Sequence, residues 1–152
     1  MNRRTFVAAM LASTALPGAL RAQGFEVTRT ERQWRAMLTP LEYRVMREEA
    51  TEPAYSSPLD KTFADGTYFC RGCGLALYPS RTKFDSGTGW PSFYASYDNA
   101  IGTKEDRKLW TVRMECHCRR CGSHLGHIFA DGPAPTGQRH CLNGVSLMFR
   151  AA

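Results

Sequence analysis

Residues 116–129 read CHCRRCGSHLGHIF, and the reading of this stretch organises the rest of the chain. Cys118 and Cys121 stand two residues apart with a glycine following, and CRGCG at 70–74 repeats the arrangement with Cys70 and Cys73. Two intervening residues let one tight turn aim both sulfurs at a single point. Two such knuckles supply four thiolates, the soft anionic ligand set that suits a tetrahedral zinc ion. The interval between the pairs is longer than in a compact zinc ribbon. Three disulfides, which an oxidising compartment favours, are the competing use of the six cysteines. A bridge within Cys-x-x-Cys, however, closes too small a loop to constrain much.

Four cysteines on a metal leave Cys116 and Cys141. Cys141 sits in QRHCLNG, just ahead of an expected strand and beside Arg139 and His140, where positive charge would lower the thiol pKa and enrich the nucleophilic thiolate. His124 and His127 flank Gly126 and offer imidazoles that titrate near neutral pH, as proton donors or, alternatively, as metal ligands. With four cysteines already sufficient for zinc, a redox or nucleophilic pocket is the better reading of a cysteine, two imidazoles and the indole of Trp90 in SGTGWPSF at 86–93. Packing in the core is the competing role for Trp90.

Outward from these motifs, the N-terminal part reads as helix and the rest as strand. Thr30 with Gln33, and Thr39 with Glu42, form two capping boxes, the second with Pro40 at the first helical position. Trp34, Met37 and Leu38, then Leu41 and Val45, give each short helix an apolar stripe expected in the core. EEATEPAYSSPLDKTFADG at 48–66 lacks periodicity and reads as a loop. LWTVRMEC at 109–116 alternates, with Trp110, Val112, Met114 and Cys116 on one face and Thr111, Arg113 and Glu115 on the other, the period of a half-buried strand. GVSLMF alternates as well, placing Val145, Leu147 and Phe149 together, and TYFC and LALY flank the first knuckle as shorter strands.

Residues 1–22 have the three parts of an export signal: Arg3 and Arg4, a weakly apolar run from Phe6 to Leu20, and a small residue at Ala22. The run is too short and too diluted for a permanent membrane anchor. NRRTF resembles a twin-arginine signal, whose machinery exports folded proteins to the periplasm. Residues 23–152 are then expected to form a single mature domain. Removing 1–22 takes away Arg3, Arg4 and Arg21 and no acidic residue, so the formal charge of +6 becomes +3, which does not argue for a nucleic-acid partner.

TYFCRGCG, GWPSFY, CRRCGSHLGHIFADGPAPTGQRHCLNG and WRAMLTPLEYRVMREEATEP together resemble the B-type peptide-methionine (R)-sulfoxide reductases, over about Trp34 to Phe149. The resemblance implies a mainly β (α+β) fold of two antiparallel sheets with short N-terminal helices, tied by one structural zinc on Cys70, Cys73, Cys118 and Cys121. It implies Cys141 as the nucleophile that attacks the sulfoxide sulfur and becomes a sulfenic acid. His124 and His127 would activate the sulfoxide oxygen, with Asn143 fixing the polar network. Trp90 would face the substrate methyl group, Phe129 would complete the pocket wall, and Arg139 would favour the thiolate. The substrates implied are oxidised proteins or peptides containing methionine (R)-sulfoxide.

Many such reductases recycle the sulfenic acid with a second thiol in the middle of SG-x-GW, where this chain has Thr88. That disulfide cannot form here. Cys116 is the remaining thiol, either a resolving cysteine or, from its apolar face, an inert buried one; otherwise an external thiol such as a thioredoxin-like protein must attack Cys141. A zinc-knuckle protein-binding module using Arg119 and Arg120 is the rival function, but it explains neither the histidine pair nor Trp90.

Overall fold

The computed structural model describes residues 24–152, so the export signal expected at 1–22 lies outside the described residues. Helix α1 (Glu31–Met37) and helix α2 (Pro40–Glu48) start where the two capping boxes place them. In each box the threonine oxygen accepts from the backbone three residues on, and the Gln33 or Glu42 side chain accepts from the threonine N–H. Trp34, Leu38 and Val45 are buried as expected and Leu41 is half-buried, but Met37 is exposed: the short α1 turns only a narrow stripe, Trp34 and the C-cap Leu38, to the core. The guanidinium groups of Arg29 and Arg47 both lie over the Trp34 ring, 4.8 and 4.6 Å from its centre.

Nine strands follow: β1 (Gly66–Cys70), β2 (Ala76–Pro79), β3 (Lys83–Phe84), β4 (Ser92–Phe93), β5 (Ile101–Asp106), β6 (Arg113–Cys118), β7 (His124–Phe129), β8 (Arg139–Leu142) and β9 (Leu147–Ala151). They form two wholly antiparallel sheets, one in the order β2-β1-β9 and the other β3-β4-β8-β7-β6-β5. The fold is therefore mainly β, with two short helices ahead of the strands.

The sheets meet through aromatic side chains. Tyr68 of β1 and Tyr78 of β2 close on Phe93 of β4 at centroid distances of 4.9 and 4.6 Å, with Leu77, Leu142, Leu147 and Cys116 buried around them. His140 of β8 belongs to this interior face: the Tyr78 hydroxyl donates to its Nδ1 at 3.0 Å, and its Nε2 donates to the Gln138 side chain. Burial pushes the His140 imidazole down to about 4, so the ring is neutral at pH 7.

Three expectations need correcting. The strand expected from Leu109 begins only at Arg113, where the β5 ladder closes on Asp106; Trp110 and Val112 lie in the exposed β5–β6 connection, and Met114 is exposed too. Glu115, placed on the polar face, is buried, because two imidazoles compensate its charge. Cys141 precedes the expected strand, β9, but itself lies within a further strand, β8, and Gly144–Ser146 form a 3-10 turn, so that β9 begins only at Leu147. The loop expected at 48–66 includes a 3-10 turn at Pro58–Lys61.

Candidate active site

The four knuckle cysteines converge. The Cys70 and Cys121 sulfurs are 3.6 Å apart and those of Cys73 and Cys118 3.5 Å, and all four lie within 4.8 Å of one another. A tetrahedral ion with bonds of about 2.3 Å to sulfur separates its ligands by roughly 3.8 Å, so the cluster is suited to zinc. Cys70 and Cys73 close the β1–β2 turn and Cys118 and Cys121 the β6–β7 turn, so an ion there would join one sheet to the other. The two turns share one geometry: Gly74 N–H donates to Cys70 O and Gly122 N–H to Cys118 O, both at 2.8 Å, and both glycines have positive φ. All six cysteines are free thiols, which departs from the three-disulfide alternative.

The other cysteines stand on the six-stranded sheet. Ladder pairing sets Ser92, Cys141, His127 and Glu115 side by side across β4, β8, β7 and β6. The next row, Leu142, Gly126 and Cys116, carries its side chains on the opposite face. Gly126 has no room for a side chain, since a Cβ there would stand 2.0 Å from the Cys141 carbonyl oxygen. Cys116 is fully buried against Tyr78, and burial pushes its thiol far up.

Histidines three apart on a regular strand face opposite ways. Here the β6–β7 register shifts after Cys116, so that His117 pairs with His124 and Leu125 is an extra residue, a β-bulge. The bulge turns His124 onto the face of His127, their ring centres 5.4 Å apart. The Leu125 carbonyl it leaves without a ladder partner accepts from the Asn143 backbone at 2.8 Å and side chain at 3.1 Å.

Each imidazole is held by a carboxylate. His124 Nδ1 donates to Glu115 Oε1 at 2.7 Å, and His117 donates to the other oxygen at 2.9 Å. Burial pushes the Glu115 carboxyl up, but the two imidazole bonds outweigh it and hold the group down at about 2. His124 Nε2 is buried without a partner. His127 Nε2 donates to Asp106 Oδ2 at 2.8 Å, and Arg113 donates to the same oxygen at 2.6 Å. Burial lowers the His127 pKa against the pull of Asp106.

A cavity of about 140 Å³ opens on this face, lined by Trp90, Arg113, His127, Phe129, Cys141 and Asn143 among others. Cys141 is half-buried, and burial pushes its thiol up; hydrogen bonding by Thr88 and the nearby Arg139 charge only partly oppose this. The expected lowering by neighbouring positive charge is therefore not what the site produces. Arg139 is engaged with Asp131 through two bonds of 2.9 Å and lies over the Phe129 ring. It lines a separate cleft with Thr88 and Asp131 rather than the cavity. His140 faces the interior and is neutral.

Glu52 was not singled out from the sequence, yet it ties the site together. Its carboxylate accepts from Gly144 and Val145 N–H at 2.7 and 2.9 Å, its own N–H donates to Asn143 Oδ1 at 2.9 Å, and its carbonyl accepts from Trp90 Nε1 at 3.0 Å. Tyr55 clamps the loop before Trp90: its N–H donates to Gly89 O, its hydroxyl to Gly87 O, and its ring leaves no room for a Cβ at Gly89. Asp106, Arg113 and Glu115 were likewise missed as site residues. The only signal available was a charged residue in a strand pattern, which reads as solvated unless the pairing is known.

Residues 38–151 match the SelR domain. The chain is 49% identical over 125 residues to the peptide methionine sulfoxide reductase MsrB of Methanosarcina barkeri, covering 82% of this chain and 88% of that protein. The MsrB of Thiobacillus denitrificans is 49% identical over 80% of this chain and 92% of its own length, and that of Leptospira interrogans 44% over 83% and 97%. With the knuckles, the paired imidazoles and Cys141 in one such domain, the chain belongs to the SelR-domain family of MsrB-type peptide methionine sulfoxide reductases.

Proposed function

We propose that this protein reduces methionine (R)-sulfoxide in peptides and proteins, with Cys141 as nucleophile. The observation that carries the reading is a single cavity in which the Cys141 thiol, the His127 imidazole and the Trp90 indole meet. The sulfoxide enters with its methyl group against Trp90 and Phe129, whose rings pack well with sulfur and methyl. The neutral imidazole of His127, oriented by Asp106, takes the Cys141 proton as the sulfur attacks and delivers it to the sulfoxide oxygen. The sulfoxide sulfur gains two electrons and leaves as thioether; its oxygen and the proton remain on Cys141 as sulfenic acid. His124 and Asn143 hold the surrounding polar frame.

An external thiol then attacks the sulfenic sulfur, releasing water and forming a mixed disulfide, and a second thiol frees Cys141. The burial of Cys116 on the opposite face supports an external reductant, such as a thioredoxin-like protein, over an internal one. Cys70, Cys73, Cys118 and Cys121 would hold one zinc ion, whose contribution is to fix the two sheets, not to take part in the reaction. Metal analysis should find one zinc per chain. We further read residues 1–22 as a twin-arginine signal directing the folded protein to the periplasm; replacing Arg3 and Arg4 by lysine should leave it in the cytoplasmic fraction.

The decisive assay incubates residues 23–152 with an R-sulfoxide peptide and dithiothreitol and follows methionine formation. Absence of turnover in folded, metal-loaded protein would overturn the reading, and turnover of the S epimer instead would overturn its stereochemistry.

A further inference from the structure

The loop that carries Thr88 in place of a second thiol sets a hydroxyl against Cys141. Thr88 Oγ1 lies 3.9 Å from Cys141 Sγ and 2.8 Å from Ser86 Oγ; Ser86 Oγ lies 2.6 Å from Ser92 Oγ, and Ser92 Oγ lies 3.1 Å from the Trp90 carbonyl oxygen. These contacts form a chain from the sulfur to the backbone of the indole-bearing residue, and Ser92 and Arg139 also approach the sulfur directly.

Each hydroxyl has one hydrogen, free to rotate. The Trp90 carbonyl can only accept, so with Ser92 donating to it, Ser86 must donate to Ser92, Thr88 to Ser86, and the thiol hydrogen of Cys141 to Thr88. Every hydrogen in the chain is then used once. A thiolate needs the reverse. It has no hydrogen, and three hydroxyl rotations turn Ser92 toward Ser86, Ser86 toward Thr88 and Thr88 toward the sulfur without moving an oxygen. The proton leaves by way of the His127 imidazole that lines the same cavity, and the Trp90 carbonyl gives up its donor.

We propose that Thr88, Ser86 and Ser92 form a hydroxyl chain that reverses direction when Cys141 ionises, so that the loop lacking a recycling thiol serves to hold the thiolate. This rests on Cys141 as the nucleophile. A hydrogen bond to an anion is stronger than one between neutral groups, and donors aligned in series polarise one another, so the chain favours the ionised sulfur.

The other groups bearing on Cys141 are each held by partners outside the chain. They are Arg139 on its own strand, bound to Asp131 and also directed at the sulfur; His127 on β7, bound to Asp106, with His124 and Glu115 behind it; and Arg113 on β6, bound to Asp106. Substituting a chain hydroxyl therefore leaves the charges around Cys141 unchanged.

The test is the rate of Cys141 alkylation by iodoacetamide against pH, followed by peptide mass spectrometry on the metal-loaded protein. Thr88→Val keeps the shape and removes the donor; its midpoint should rise by about one pH unit, a tenfold slower reaction at neutral pH. Ser86→Ala should raise the midpoint by less, since Thr88 keeps its own bond to sulfur, and Thr88→Ser should restore the wild-type profile. An unchanged or lowered midpoint in Thr88→Val, or an unchanged one in Ser86→Ala, overturns the chain. Alkylation needs no sulfoxide, so a protein with the expected midpoints and no turnover would defeat the proposed reduction and leave this inference standing.

Discussion

Cys116 and Cys141 lie two strands apart on one sheet and have opposite chemistry. Cys116 faces the aromatic interior against Tyr78, and its thiol is locked in the neutral form. Cys141 is in the adjacent row on the other face, beside an imidazole, a hydroxyl chain and a cavity. The residue type is the same; what differs is the parity of the ladder position. A one-residue change of register would exchange the two environments.

The comparison can be broken first at Cys141. Cys141→Ser should lower reductant-driven sulfoxide reduction by at least ~10³-fold, because a hydroxyl at neutral pH is a far weaker nucleophile, while the thermal midpoint stays near wild type. Measurable turnover would move the nucleophile elsewhere.

The interior face can be probed through His140. Its folded pKa of about 4 lies below the ordinary imidazole value, so between about 6.5 and 4 the unfolded chain binds the extra proton and stability falls as pH falls. The loss should be on the order of 3 kcal/mol, complete below about pH 4, and should flatten in His140→Gln. Urea unfolding at pH 7, 5.5 and 4 measures it, and equal slopes in the two proteins would refute the assignment.

On the open face, Glu115→Gln weakens the hold on His124 and His117 without removing volume. We expect kcat to fall roughly 10–100-fold with a smaller change in KM, since Glu115 fixes the His124 ring that packs at 5.4 Å against His127, the group that moves the proton. A change in KM alone would make Glu115 a binding residue.

Cys116→Ala should have the smallest effect, about 1 kcal/mol of stability from the lost buried sulfur, with more than half of the turnover retained. A Cys116–Cys141 disulfide trapped after one turnover would overturn the separation of the two faces.

How far the sequence carried the reading follows from how local each feature is. The knuckles close within single turns, and the capping boxes are satisfied within four residues, so Cys70, Cys73, Cys118, Cys121, Thr30 and Thr39 were legible as they stand. Alternation failed where burial depends on the neighbouring strand: Trp110 and Val112 lie beyond the end of the ladder, and Glu115 is inside because His117 and His124 meet it there. Glu52 reads as one acidic residue in a polar loop, and its partners Trp90, Asn143 and Gly144 are all distant in the chain.

The sequence by itself determined the helix starts, the four-cysteine cluster that could hold a metal, and the presence of a cysteine, two histidines and an indole consistent with sulfoxide reduction. Only the tertiary structure decided that Cys141 is accessible and Cys116 is not, that a bulge at Leu125 brings His124 round to His127, and that Glu52 holds Trp90 in place. The physical reason is that turns and caps are satisfied by bonds between near neighbours. The face of a strand, the ionisation of a buried thiol and the partner of a buried carboxylate are set by whatever packs against them from elsewhere in the chain.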